Sequence, residues 1–214
     1  MLKPLKFHEV EQNSDEWFAM RLGKATMSNA PKFMANLGKA FGEPAKAYAL
    51  QLSLEQVTGR KSGVSFTNEH MLRGQEQEPI ARELYEHENF VTVTNGGFFA
   101  SDTWGSSPDG LVGDDGIIEI KSVISTTHYA TLKRGAHDPA YHWQLMGHLH
   151  ATGREWVDFV SYCADFPEGK QLITHRVHRT DVEADLKSLD DRLGEFLDLI
   201  ENIKQHIIFY EAIV

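Results

Sequence analysis

Between Ser107 and Lys121 the chain reads Ser-Pro-Asp-Gly and then, beyond a Gly113-Asp114-Asp115-Gly116 turn, Ile118-Glu119-Ile120-Lys121. Side chains on an extended strand alternate faces, so Glu119 and Lys121 point one way while Ile118 and Ile120 point into a core. Asp109, at the end of the preceding extended segment, lies across the turn from Glu119. Two carboxylates directed at one point repel, and a hard divalent cation such as magnesium, which prefers oxygen ligands and keeps several waters, is the natural neutraliser. Lys121 then orients a water or helps to deprotonate it. This is a layout for phosphodiester hydrolysis. Taken alone, Glu-x-Lys is commonly a solvated ion pair worth little. The apolar setting of Ile117, Ile118, Ile120 and Val123 points instead to a central strand, where charges must be paired or bind metal.

The elements that must hold these residues follow from local signals. Ser14 is a candidate N-cap for a helix carrying Trp17, Met20 and Arg21. Ser28 is read as opening a helix through Phe33 and Met34. A helix over about Pro44 to Val57 stops at Thr58-Gly59. Another runs from about Asn68 to His87, with Gly74 and Pro79 as interruptions that need a local reason. Val91, Val93, Phe98 and Phe99 around Asn95-Gly96-Gly97 predict a hairpin. Extended segments over Trp104–Val112 and Gly116–Val123 precede a helix around Pro139–Thr152, then strands near Trp156–Tyr162 and Gln171–His178. A long amphipathic helix starts at Asp181, read as its N-cap. The order predicts a mixed α/β domain with a central sheet flanked by helices.

With 214 residues, one domain is the working expectation: N-terminal helices over about 14–88, a sheet core over about 90–180 and a C-terminal helix over about 181–210. No segment offers the run of about 18 apolar residues that a membrane span requires, and the absence of a leader-like start implies a cytoplasmic protein. Cys163 is alone, so no intrachain disulfide forms, and it reads as a small buried hydrophobe. The net charge of −10 argues against nonspecific DNA coating but is compatible with a locally basic DNA path. His142, His148 and His150 sit at spacings of six and two, unlike an i, i+4 zinc pair, and are expected to be surface or packed histidines.

The sequence resembles the PD-(D/E)xK nucleases and, within them, the lambda-exonuclease-like viral recombinases of the YqaJ type. Four ordered motifs over about residues 17–150 carry the resemblance. They are Trp17-Phe-Ala-Met-Arg21-Leu-Gly-Lys-Ala-Thr-Met-Ser28, Arg73-Gly74-Gln75-Glu76-Gln77-Glu78, the Ser107–Lys121 stretch, and His142-Trp143-Gln144-Leu145-Met146. The resemblance implies that Asp109, Glu119, the Ile120 carbonyl and Glu78 ligate magnesium, with two ions and manganese as a substitute. Glu76 is the alternative to Glu78, since only one of the two can face the site. Lys121 would position the attacking water, and Gln144 would support the water or the metal site. Arg21, Ser28 and Ser107, beside Trp17, resemble a pocket for a 5′-terminal phosphate. Thr127 stands where the family has a further phosphate-binding arginine, with Lys133 or Arg134 as possible compensation. Met71, with Leu72, is a candidate wedge at the terminal base pair. The implied activity is 5′ to 3′ digestion of linear double-stranded DNA, leaving a 3′ overhang. The implied assembly is a homotrimer, and the implied partner a single-strand annealing protein, in a phage or prophage setting inside a bacterial host. A structure-specific endonuclease or a non-catalytic DNA-end binding scaffold are the alternatives.

Overall fold

The computed structural model describes residues 4–63 and 69–210, the side chains of the second stretch from 72 onward. In chain order the elements are β1 (Lys6–His8), α1 (Asp15–Arg21), β2 (Ala25–Thr26), a 3-10 turn (Met27–Asn29), α2 (Ala30–Met34), α3 (Glu43–Thr58), α4 (Glu69–Asn89), β3 (Val93–Asn95), β4 (Phe98–Ala100), β5 (Trp104–Ser106), β6 (Gly110–Val112), β7 (Gly116–Ser122), α5 (Ser125–Arg134), a 3-10 turn (Pro139–Tyr141), α6 (His142–Thr152), β8 (Trp156–Tyr162), β9 (Leu172–His178), a 3-10 turn (Arg179–Asp181) and α7 (Glu183–Ile208). No helix among the described residues is long and apolar enough to cross a membrane.

Two sheets result. One has the order β1-β4-β5-β2 and the other β3-β6-β7-β8-β9. In the five-stranded sheet β7 runs antiparallel to β6 and parallel to β8. Both faces of β7 are covered. Ile118 and Ile120 pack with Ala81 and Tyr85 of α4, whereas Ile117 packs with Leu145 and Leu149 of α6. Glu119 shares the face of Ile117, so the strand's alternation sends it toward α6. The Tyr85 hydroxyl donates to Asp158 at 2.6 Å, and Arg176 makes two 2.8 Å bonds to the same carboxylate, pinning α4 to β8.

The expected hairpin at Asn95-Gly96-Gly97 does not form. Val93 pairs with Val112 in one sheet, while Phe98 to Ala100 pairs with β1 and β5 in the other. The turn residues mark a crossover between sheets, and the chain crosses back at Ser107-Pro108-Asp109. The two crossovers touch: a Cβ on Gly96 would fall 1.7 Å from the Pro108 carbonyl oxygen, which only glycine avoids. Asp109 therefore sits where the two sheets meet.

Other local expectations need correction. Ser28 lies inside a 3-10 turn and α2 begins at Ala30 without a side-chain cap, so Ser28 is not an N-cap. Asp181 also lies in a 3-10 turn, and α7 starts after Val182 with no side-chain cap. Gly74 and Pro79 do not interrupt α4, which runs unbroken. Helix α5 was unforeseen because its buried residues are His128 and Thr131 rather than an apolar stripe. Its anchor is polar: His128 Nδ1 lies 2.9 Å from the Ser161 hydroxyl. Ser14 caps α1 as expected, accepting from the Trp17 amide.

Candidate active site

β7 presents Glu119, fully buried, to the underside of α6. Oε1 accepts from Lys121 Nζ at 2.5 Å and from Gln144 Nε2 at 2.5 Å. Oε2 lies 2.7 Å from His148 Nε2. Burial works to raise this carboxyl's pKa, but the Lys121 charge and then His148 outweigh it, holding the group down to about 2. Lys121 shows the reciprocal balance: desolvation lowers its pKa, yet Glu119 and Asp109 raise it by more, so the ammonium keeps its proton.

Asp109 reaches β7 through its carboxylate, whose Oδ2 accepts from the Ile120 amide at 2.7 Å. Burial and then the Glu119 charge push its pKa well up. Arg82 of α4 donates to the Asp109 carbonyl and stands 3.7 Å from Glu78, tying the crossover to the helix. Glu78 is raised by burial and by Glu119, against Arg82. Glu78, Asp109 and Lys121 face one cleft of about 580 Å³, lined also by Ile120, Arg73, Gln75, Thr127 and Tyr141 among others, with Glu119 fully buried directly behind Lys121. Glu78 lies on this wall and Glu76 does not. Pro79 has no N–H to offer the carbonyl one turn earlier, and that residue, Gln75, lines the cleft.

Among the described residues no three His, Cys, Asp or Glu side chains form a ready metal cage. The cleft offers hard oxygen donors instead: carboxylates of Asp109 and Glu78 beside the Ile120 backbone, with that of Glu119 buried just behind, against Lys121 and, beside Glu78, Arg82. Asp109 Oδ1 makes no hydrogen bond among the described residues. This donor chemistry, with two carboxylates whose pKa values are raised by burial and by their shared neighbour Glu119, fits Mg²⁺, which binds through one or two carboxylates and retains waters.

A second cavity of about 660 Å³ adjoins the cleft, sharing Asn13 and Gln75, and contains Arg21, Trp17, Tyr48 and Lys61. The Arg21 guanidinium lies 3.9 Å from the Trp17 ring centroid. Burial draws its pKa down to about 10, only partly offset by Tyr48. Among the described residues the Arg21 guanidinium has neither a carboxylate partner nor a hydrogen bond. The other phosphate candidates are placed differently. Ser107 donates to the Gly97 carbonyl at 2.6 Å and accepts from Trp17 Nε1 at 2.9 Å, clamping the crossovers together. Ser28 is exposed, 3.3 Å from the Thr26 hydroxyl, and Thr26 rather than Ser28 lines the cavity. Lys133 and Arg134 end α5, outside the residues lining the cleft. The Met71 side chain lies outside the described residues.

Sequence reasoning missed His148 as part of the site. It weighed the residue only against other histidines, whereas Gln144 and His148 stand four apart on one helix face and both meet Glu119. His142 and His150 turn elsewhere, to Asp185 at 3.1 Å and Asp190 at 3.2 Å.

Residues 16–155 match the family model of the YqaJ-like viral recombinase domain. An alkaline exonuclease from Laribacter hongkongensis is similar at 35% identity and TM-score 0.76, covering 91% of this chain and 98% of that one. The same exonuclease in complex with dAMP gives 35% and 0.77, with the same coverage. A phage-related exonuclease from Haemophilus somnus 129PT, at 13% identity and TM-score 0.64 over 86% of this chain and 95% of that one, shares the fold. No curated protein sequence matches significantly. On the match across most of its length and the 35% identity to a solved exonuclease, the chain belongs to the YqaJ-like viral recombinase family, with the PD-(D/E)xK fold.

Proposed function

We propose that this chain, an alkaline-exonuclease-type deoxyribonuclease, is a magnesium-dependent 5′ to 3′ exonuclease that digests one strand of linear duplex DNA from a 5′-phosphorylated end. The observation that carries this reading is the adjacency of two sites. One is the Asp109, Lys121 and Glu78 cleft with Glu119 behind it, and the other is the cavity in which a half-buried guanidinium, Arg21, stacks on Trp17 and has no anionic partner among the described residues. A partly desolvated guanidinium whose neighbours are aromatic rather than anionic is suited to a terminal phosphate, which its planar fork can bind bidentately. The dAMP held by the Laribacter exonuclease supports a deoxyribonucleotide as the matching chemistry.

Asp109, Glu119, the Ile120 carbonyl and Glu78 would hold the metal, with room in the donor set for two ions. When bound, magnesium polarises the phosphate and lowers the pKa of coordinated water. Lys121 stays protonated, so its part is to orient the attacking water and donate hydrogen bonds to it rather than to remove its proton. Gln144 fixes Glu119 through Oε1 and limits its rotation. Water adds to phosphorus, the bond to the 3′ oxygen of the terminal nucleotide breaks, and that oxygen leaves as a hydroxyl after taking a proton. The scissile phosphate remains on the shortened strand as a new 5′ phosphate. Each cut thus regenerates the group that Arg21 recognises, and the remaining 3′ overhang suits a single-strand annealing partner. A ring-like homotrimer would add processivity; light scattering tests it, with three times the 24.2 kDa protomer mass expected.

The deciding experiment is a digestion time course with magnesium or EDTA on strand-labelled linear duplex, bearing 5′-phosphate or 5′-hydroxyl ends, beside closed circular duplex. Magnesium-dependent loss of the 5′ strand from linear DNA alone is expected. Cutting of closed circles would overturn the exonuclease reading in favour of an endonuclease. No cutting of any substrate would favour a binding scaffold.

A further inference from the structure

Glu119 is held from behind by a buried relay that joins the two sheets. His148 of α6 stands between Ser106 of β5 and Glu119 of β7, with Nδ1 2.7 Å from the Ser106 hydroxyl and Nε2 2.7 Å from Glu119 Oε2. Ser106 and His148 are each 1% exposed and Glu119 is not exposed at all. An ionised carboxylate only accepts hydrogen bonds, so the ring nitrogen facing it must carry a hydrogen. A neutral ring then accepts from the Ser106 hydroxyl through Nδ1. The carboxylate selects the tautomer, the serine hydroxyl satisfies the remaining ring nitrogen, and the ring pins the carboxylate.

The geometry assigns His148 as a positioning residue for Glu119. It and Ser106 fix the carboxylate's rotation from the side away from the cleft, so the small four-stranded sheet is part of the catalytic apparatus. The inference rests on the metal-nuclease reading above. It goes further by giving a role to a face of the molecule that no substrate reaches. Lys121 and Gln144 both engage Oε1, and between them they leave the carboxylate free to swing about that oxygen. The third hydrogen bond, on Oε2, removes this freedom. Partners of this kind commonly change metal affinity or activity by roughly 10–100-fold when removed.

The test compares wild type with His148→Leu, His148→Gln and Ser106→Ala. Each protein is titrated with Mn²⁺ by calorimetry and by electron paramagnetic resonance without DNA, and kcat and KM are then measured on linear duplex. His148→Leu is expected to weaken Mn²⁺ binding about 10-fold and to lower kcat by roughly 10–100-fold, with KM for DNA within about twofold. His148→Gln, whose amide can donate to Oε2, is expected to recover most of the loss. Ser106→Ala, which leaves the core volume nearly unchanged, is expected to weaken Mn²⁺ binding severalfold and carries the test alone if His148→Leu does not fold. Wild-type Mn²⁺ binding together with unchanged binding in the folded variants would overturn the assignment while leaving the nuclease reading intact. A wild-type protein that binds no Mn²⁺ would overturn the metal reading and this inference with it.

Discussion

At the residue scale, the site is a balance of charges taken out of water. Glu119 stays ionised because three donors surround it, and Asp109 is pushed toward its neutral form by burial and then by the nearby Glu119 charge. Lys121 links the two. Replacing Lys121 by alanine is expected to lower kcat by roughly 100-fold or more, the scale on which positioned proton donors and acceptors act. The fold should persist, because Glu119 keeps Gln144 and His148. A circular dichroism melt beside steady-state rates checks both halves, and an active Lys121→Ala enzyme would remove the lysine from the mechanism. Arg21 makes a separable prediction. Arg21→Ala is expected to slow digestion of 5′-phosphorylated ends by roughly 10-fold or more, as expected for loss of a charge-assisted bidentate contact, and to leave 5′-hydroxyl ends nearly unaffected. Equal losses on both ends would mark Arg21 as a structural or general DNA contact.

At the element scale, α6 is the part that must not move, since it delivers Gln144 and His148 to one carboxylate. It packs tightly over the 3-10 turn at Met27–Asn29. A Cβ added to Gly147 would lie 2.4 Å from both Cβ and Cγ of Met27, too near the backbone for the methionine to swing clear. Alanine improves helix propensity by about 1 kcal/mol over glycine. Overpacking of a tight core costs about 1–3 kcal/mol and acts in the opposite direction. Gly147→Ala is therefore expected to destabilise the protein by up to about 2 kcal/mol, read as a lower denaturant midpoint with unchanged slope. It should also lower kcat more than stability alone explains, by tilting α6 away from β7. A stabilised Gly147→Ala protein would mean the contact relaxes freely.

At the scale of the whole molecule, the net charge of −10 confines attraction for DNA to local patches. Among the described residues five cationic side chains line the two adjoining cavities: Arg73 and Lys121 in the cleft, and Arg21, Lys24 and Lys61 in its neighbour. If all five neutralise phosphates, log affinity should fall against log salt with a slope no steeper than about −4.5. Measuring KM for linear duplex across a salt series tests this. A steeper dependence would place DNA on surfaces beyond the two cavities.

The sequence by itself determined the parts of this protein that are local or chemically marked. Alternation on one strand puts Glu119 beside Lys121 and apart from Ile118 and Ile120. Ser14 caps α1, Gly59 ends α3 in a left-handed conformation, and β6 and β7 pair across Gly113-Asp114-Asp115. Each depends on neighbours within a few residues, so each is written in the chain. Tertiary structure decided which strands pair, because Asn95-Gly96-Gly97 encodes a change of direction but not the sheet that receives it. It also decided that Glu78 rather than Glu76 faces the cleft, since helical spacing separates the two without saying which way α4 is turned. The placements of Ser107 and His148 were decided in the same way. A serine beside a catalytic motif reads as a ligand contact until its hydroxyl is found between Trp17 and Gly97. A histidine reads as core until the packing of α6 on β7 sets it 2.7 Å from a buried carboxylate.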